Sequence, residues 1–227
     1  VWRLTKNNFR IIKVENNIHI QQLIKRYGQL AGLKDEIEKA GKTIINCYEN
    51  GGKVLVCGNG GSASDSDHIV GELMKSFEGK RPVNQTLKTN LANLAGERGE
   101  YLSRKLQQGL PAISLTAHAA LTSAVANDID ADLIFAQQIT GYGNSGDILI
   151  GMSTSGNSRN VIDALIVAKA KGLLTIGFSG KTGGKMKEFC DILINVPETR
   201  TAFVQELHLP VYHILCMIVE DYFFVKN

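Results

Sequence analysis

Five short apolar runs, each followed by a stretch of helical periodicity, constrain this chain more than any other feature. They fall at residues 53–57, 111–115, 147–152, 173–178 and 191–196 and are rich in Val, Ile and Leu, as strands buried on both faces are. Segments 18–49, 62–77, 117–126, 130–140, 159–171 and 201–224, with a short one at 185–189, read as helices. This alternation predicts an α/β fold, a three-layer sandwich in which a five-stranded parallel sheet is flanked by helices. Ligands in such sheets bind at the carboxyl ends of strands, which selects the turns after the first and third strands. Segment 78–109 breaks the pattern. Its Leu87, Leu91, Leu94 and Leu102, Leu106, Leu110 predict one or two short amphipathic helices. It reads as an insertion, because about 30 residues bury too little apolar surface to fold alone.

The length of 227 residues suits a single domain over 1–227, with 1–50 as an N-terminal helical segment. With 25 basic and 22 acidic residues, the net charge of +3 argues against nucleic-acid binding by bulk charge. Apolar stretches are interrupted before the roughly 20 residues of a membrane span. Lys6, Arg10 and Lys13 interrupt the N-terminus, so no signal peptide is read and a cytoplasmic location is expected. Cys47, Cys57, Cys190 and Cys216 lack metal-ribbon spacing and read as reduced, packed thiols.

The turn Ser153-Thr154-Ser155-Gly156-Asn157-Ser158 places four hydroxyls between a strand and a helix. A helix N-terminus offers unpaired N–H groups and partial positive charge, so the place suits a phosphate monoester. A capped polar turn would need only one of those hydroxyls. The other turn, Gly58-Asn59-Gly60-Gly61-Ser62-Ala63, lets backbone approach a ligand closely, and Ser62 is expected to cap the helix after it. The match to the dinucleotide fingerprint lacks the acidic residue at the end of the next strand, so no nucleotide cofactor is expected.

His68 and Glu72 are four apart and share a helical face. Gln205, Glu206, His208 and His213 follow on the last helix. A His, a Glu, a Gln and a second His from these helices can together bind a divalent metal such as zinc, and His and Glu can move protons between adjacent sugar carbons. Gln205 and His213 are separated by roughly 12 Å on an ideal helix. Either Pro210 kinks the helix, or the two residues serve different copies of the site in an obligate oligomer, the account favoured here. His208 reads as a packed histidine on another face.

Taken together, these motifs, with Asn127-Asp128 and Gly183-Gly184-Lys185, resemble the sugar-isomerase (SIS) domain family across nearly the whole chain. Within it they are most similar to enzymes that interconvert sedoheptulose 7-phosphate and D-glycero-D-manno-heptose 7-phosphate, in heptose and glycan precursor biosynthesis. The resemblance implies a homotetramer with sites between subunits. It implies phosphate held by Ser153, Thr154, Ser155 and Ser158, and sugar contacts from Asn59, Gly60, Ser62, Asp128 and Gln205. It further implies acid–base transfer through an enediol by Glu72 and His213, with one zinc on His68, Glu72, Gln205 and His213 in some members. Ligation and proton transfer compete for the same lone pairs, so both uses stay open. Ser76 and Phe203 stand where arginines are common, and Lys75, Lys80 or Arg81 are the candidates for the missing charge. The alternatives are isomerisation of another sugar phosphate and a non-catalytic interaction protein of the replication-initiation type. That relative lacks the glutamate and final histidine present here.

Overall fold

The computed structural model describes residues 17–225; the expectations for Lys6, Arg10 and Lys13 lie outside them. The strands are β1 (Val54–Gly58), β2 (Ala112–Ser114), β3 (Ile148–Met152), β4 (Leu174–Ser179) and β5 (Ile192–Asn195). All pairings are parallel, in the order β2-β1-β3-β4-β5. The helices are α1 (Ile18–Arg26), α2 (Lys34–Glu49), α3 (Gly61–Met74), α4 (Gln85–Lys105), α5 (Ala119–Asp128), α6 (Ala136–Tyr142), α7 (Arg159–Ala170) and α8 (Thr201–Phe224).

Successive strand residues point to opposite faces, and the two cores follow that alternation. Val54, Val56, Ile148, Ile150, Ile176 and Phe178 meet α1, α2, α3 and α8 on one side. Leu55, Cys57 and Leu149 meet α6 and α7 on the other. Burial of each large apolar side chain contributes about 1.5–3 kcal/mol. The sandwich and its five parallel strands are those expected. Buried Asp147 sets the relative height of β1 and β3: its carboxylate accepts from the backbone N–H groups of Lys53 and Asn144 and from Lys53 Nζ at 2.6 Å.

Two local expectations are corrected, and the insertion holds the short helices expected of it. The single helix over 18–49 is broken at Tyr27, and Gly28–Leu33 forms a tighter 3-10 turn. Gly28 and Gly32 each weaken a helix by about 1 kcal/mol, and the turn buries both Leu30 and Leu33. Ser62 does not cap α3: Gly60, at φ +56°, holds the cap position, and Ser62 is buried within the helix. In the insertion, α4 consists of two helical pieces folded about Ala95 and Gly96. The pieces touch at Gly99, where a Cβ would lie 1.7 Å from the Leu91 carbonyl oxygen. Leu87, Leu94 and Leu106 stay exposed rather than joining the core.

Helix α8 is long and apolar enough to cross a membrane, the one such helix among the described residues, which corrects the expectation that every apolar stretch is too short. Its apolar face is core: Val204, Val211, Ile218 and Val219 are all fully or almost fully buried.

Candidate active site

The strand order reverses direction between β1 and β3, and Gly58 pairs with Met152 at their carboxyl ends. This is the switch point at which open α/β sheets bind ligands, and it brings the two polar turns side by side. Between them lies a cavity of about 270 Å³ lined by Asn59, Gly60 and Ser62 from one turn and Ser153, Thr154 and Ser158 from the other. Thr201 and Gln205 close it from α8. Ser158 occupies the N-cap position of α7, but its side chain makes no capping bond. Its Oγ instead pairs with Ser153 Oγ at 2.9 Å. Capping therefore does not account for these hydroxyls, and the first N–H groups of α7 keep their pull on an anion.

The turn after β3 is held open by a second glycine turn. Gly156 has φ +67°, and a Cβ there would lie 2.2 Å from the Gly183 carbonyl oxygen. A Cβ on Gly184 would in turn meet Gly156 backbone at 2.5 Å. Any side chain at either position forces these turns apart, which explains Gly156 and Gly184 in the sequence. The side chains of Asn59 and Asn160 exchange two hydrogen bonds, at 2.9 and 3.0 Å, and tie the first turn to α7. Asn160 carried no sequence signal, because its partner lies 101 residues away.

A second group forms further along α3 and α8. His68 Nε2 lies 3.3 Å from Glu72 Oε1, and the His68 and His213 ring centroids are 4.9 Å apart. His213 Nε2 is buried without a hydrogen-bond partner among the described residues. Burial and then the neighbouring His68 lower the His213 pKa, against the opposing pull of Glu72 and Glu78, so it favours the neutral ring. Lys75 Nζ holds Glu72 Oε2 at 2.9 Å. Lys75 is thus the cation on this carboxylate. The Arg81 guanidinium is fully buried on Glu220 and on the carbonyls of Leu73 and Glu72.

Tyr212 OH contacts both Asp65 Oδ1, at 3.1 Å, and His68 Nδ1, at 3.0 Å. Burial and then the Asp65 carboxylate push the Tyr212 phenol up, so it keeps its proton. Burial raises the Asp65 carboxyl, and the Tyr212 hydrogen bond opposes this. Neither residue stood out in the sequence.

The remaining candidates divide. Gln205 lies against Gly61, where a Cβ would come within 2.5 Å of its amide nitrogen, while His213 lies at His68. Helix α8 continues through Pro210, so no break in the helix shortens the eight-residue spacing of Gln205 and His213. Two imidazoles and a carboxylate are zinc ligands in kind. Among the described residues, however, no three His, Cys, Asp or Glu side chains form a metal-holding group. Ser155 is exposed and uses its Oγ on the Asn157 N–H. Asp128 is exposed at the end of α5, bonded to Asn127, and does not line the cavity. His208 is packed as expected: it is wholly buried, Nε2 contacts the Ser179 carbonyl at 3.1 Å, and burial lowers its pKa to about 4.

A family model described as SIS domain matches residues 19–105 and 94–180. The phosphoheptose isomerase of Aneurinibacillus thermoaerophilus is 35% identical over 218 residues, 96% of each chain. Among solved structures, a phosphoheptose isomerase from Francisella tularensis superposes with TM-score 0.72 at 31% identity, covering 89% of this chain and 95% of that one. Phosphoheptose isomerase GmhA from Neisseria gonorrhoeae gives TM-score 0.70 at 30% identity over the same shares.

Proposed function

The chain belongs to the SIS domain family, among its phosphoheptose isomerases, and from that premise we propose how its residues carry out the reaction. It is an aldose–ketose isomerase that interconverts sedoheptulose 7-phosphate and D-glycero-D-manno-heptose 7-phosphate. One observation carries the reading: hydroxyl-rich turns abut at the sheet's switch point, and α3 and α8 lead from there to a His–Glu–His group.

Ser153, Thr154, Ser155 and Ser158, with the α7 N-terminus, hold the phosphate. Asn59, Gly60, Ser62 and Gln205 contact the sugar in the cavity, and Asp128, which lies outside it in one chain, reaches the sugar of a neighbouring copy. Glu72 takes a proton from C1 of the ketose, and the C2 carbonyl oxygen gains one to give the 1,2-enediol. Returning the proton to C2, while the C1 hydroxyl loses its own, yields the aldose. His213 shuttles the proton between the two oxygens, a task suited to a neutral imidazole.

The chain acts as a cytoplasmic homotetramer of single SIS domains. Assembly brings the turns of one copy and the His68–Glu72–His213 group of another onto one substrate, which accounts for the separation of Gln205 from His213. One zinc per site would be held by His68, Glu72, Gln205 and His213. When bound it supplies polarisation of the substrate carbonyl. The two oxygens of Glu72 face different ways, Oε1 to His68 and Oε2 to Lys75. For His213, ligation and proton shuttling exclude each other.

The test is incubation with a panel of ketose phosphates, with and without a chelator. Sedoheptulose 7-phosphate is expected to turn over fastest; activity lost on chelation and restored by stoichiometric zinc assigns His213 to the metal rather than to proton shuttling. No turnover of any ketose phosphate contradicts the function. Undiminished turnover after complete metal removal takes zinc out of the reaction.

A further inference from the structure

The protons around Tyr212 can be placed by elimination. The Tyr212 hydroxyl has one proton and two neighbours, Asp65 Oδ1 at 3.1 Å and His68 Nδ1 at 3.0 Å. A carboxylate only accepts, and a neutral imidazole presents one donor and one acceptor nitrogen. If the hydroxyl donated to His68, its oxygen lone pairs would face the Asp65 carboxylate with no hydrogen between them. Both contacts are satisfied only if the hydroxyl donates to Asp65 and accepts from Nδ1–H of His68.

We infer that Asp65 and Tyr212 are positioning residues that fix His68 with its ring proton on Nδ1, leaving the Nε2 lone pair facing Glu72. The other side of the ring shows why this matters. His68 Nε2 lies 3.3 Å from Glu72 Oε1, so two acceptors confront each other across the site. Such a pair is poised for a cation, either a proton or a divalent metal. In the opposite tautomer Nε2–H would donate to Glu72 and occupy the oxygen that the proposed function needs. The hydrogen bond made by one imidazole nitrogen sets the role of the other, and such supporting bonds typically govern affinity or rate by about 10–100-fold. The packing agrees with a fixed ring: the Tyr212 ring is almost wholly buried and meets His68 edge-on at 5.6 Å and His213 at 5.0 Å.

The functional consequence rests on the isomerase reading, but the tautomer does not, and the test separates them. In metal-free protein labelled with nitrogen-15 at histidine, the His68 signals are assigned by their loss in His68→Gln. Wild type at a pH where His68 is neutral is expected to show Nδ1 protonated and Nε2 bare. Tyr212→Phe keeps the ring and removes the acceptor, and Asp65→Ala frees the hydroxyl to donate to Nδ1. Both are expected to move the proton to Nε2, to lower kcat by about 10–100-fold and to leave KM within about twofold. A purely structural role would lower stability without moving the proton. Wild-type His68 protonated on Nε2, or variants with unchanged spectrum and kcat, overturns the inference. A wild type with Nδ1–H that turns over no ketose phosphate upholds the inference and overturns the function. Should either variant fail to fold, the wild-type spectrum still decides.

Discussion

Glu72→Gln lowers kcat by about 10²–10⁴-fold, the usual worth of a positioned general base, while the assembly and the phosphosugar affinity are kept. Gln has the same shape but no basic oxygen, so the change is chemical rather than steric. The position makes the test clean: Glu72 is 9% exposed, with one oxygen at His68 and the other at Lys75. Gln offers an acceptor to one of them, so the local packing survives. Steady-state rates with sedoheptulose 7-phosphate, read beside a thermal melt, check this. A folded Gln variant with wild-type turnover removes Glu72 from the proton path.

Arg81→Met destabilises the chain by about 3–5 kcal/mol, the cost of breaking a buried ion pair by removing one partner. Arg81 Nε lies 2.6 Å from Glu220 Oε1, with the side chains 0% and 1% exposed. The other guanidinium nitrogens donate to the Leu73 and Glu72 carbonyls, at the end of α3. Glu220 also accepts from the N–H groups of Phe77, Glu78 and Gly79. Burial alone would raise the Glu220 carboxyl, but these three donors and Arg81 outweigh it and hold its pKa below the usual value. A carboxyl lowered in the folded state contributes stability above its unfolded pKa and loses it as pH falls through the folded one. Urea unfolding at neutral pH should therefore show the full loss, and the gap to wild type should narrow in acid. A loss under about 1 kcal/mol, in the range of exposed pairs, contradicts the buried-clamp account.

The sheet was legible in the sequence because strands covered on both faces are continuous apolar runs, and β1, β3 and β4 are such runs. Helix ends were less so. Tyr27 ends α1 because Leu30 and Leu33 gain burial in a tighter turn, a choice made by the core. The insertion was seen as helical but not as folded on itself, since only the close approach at Gly99 shows how the pieces meet. In the site, polar turns and the His68–Glu72 pair were visible because their members are close in sequence. The links that order them span the chain: Asn59 to Asn160, Tyr212 to Asp65 and His68, and Arg81 to Glu220. Lys75 and Arg81 were equal candidates for one role until burial separated them. Arg81 lies inside the fold and Lys75 at its surface.

The central claim is that a carboxylate–imidazole group moves a proton between C1 and C2 of a sugar whose phosphate sits in the hydroxyl-rich turns. Proton NMR of sedoheptulose 7-phosphate incubated with the enzyme in deuterium oxide tests it most directly. The expected result is solvent deuterium at C1 of the ketose and at C2 of the aldose as isomerisation proceeds. Label entering both carbons at the wild-type rate in Glu72→Gln would contradict proton transfer by Glu72.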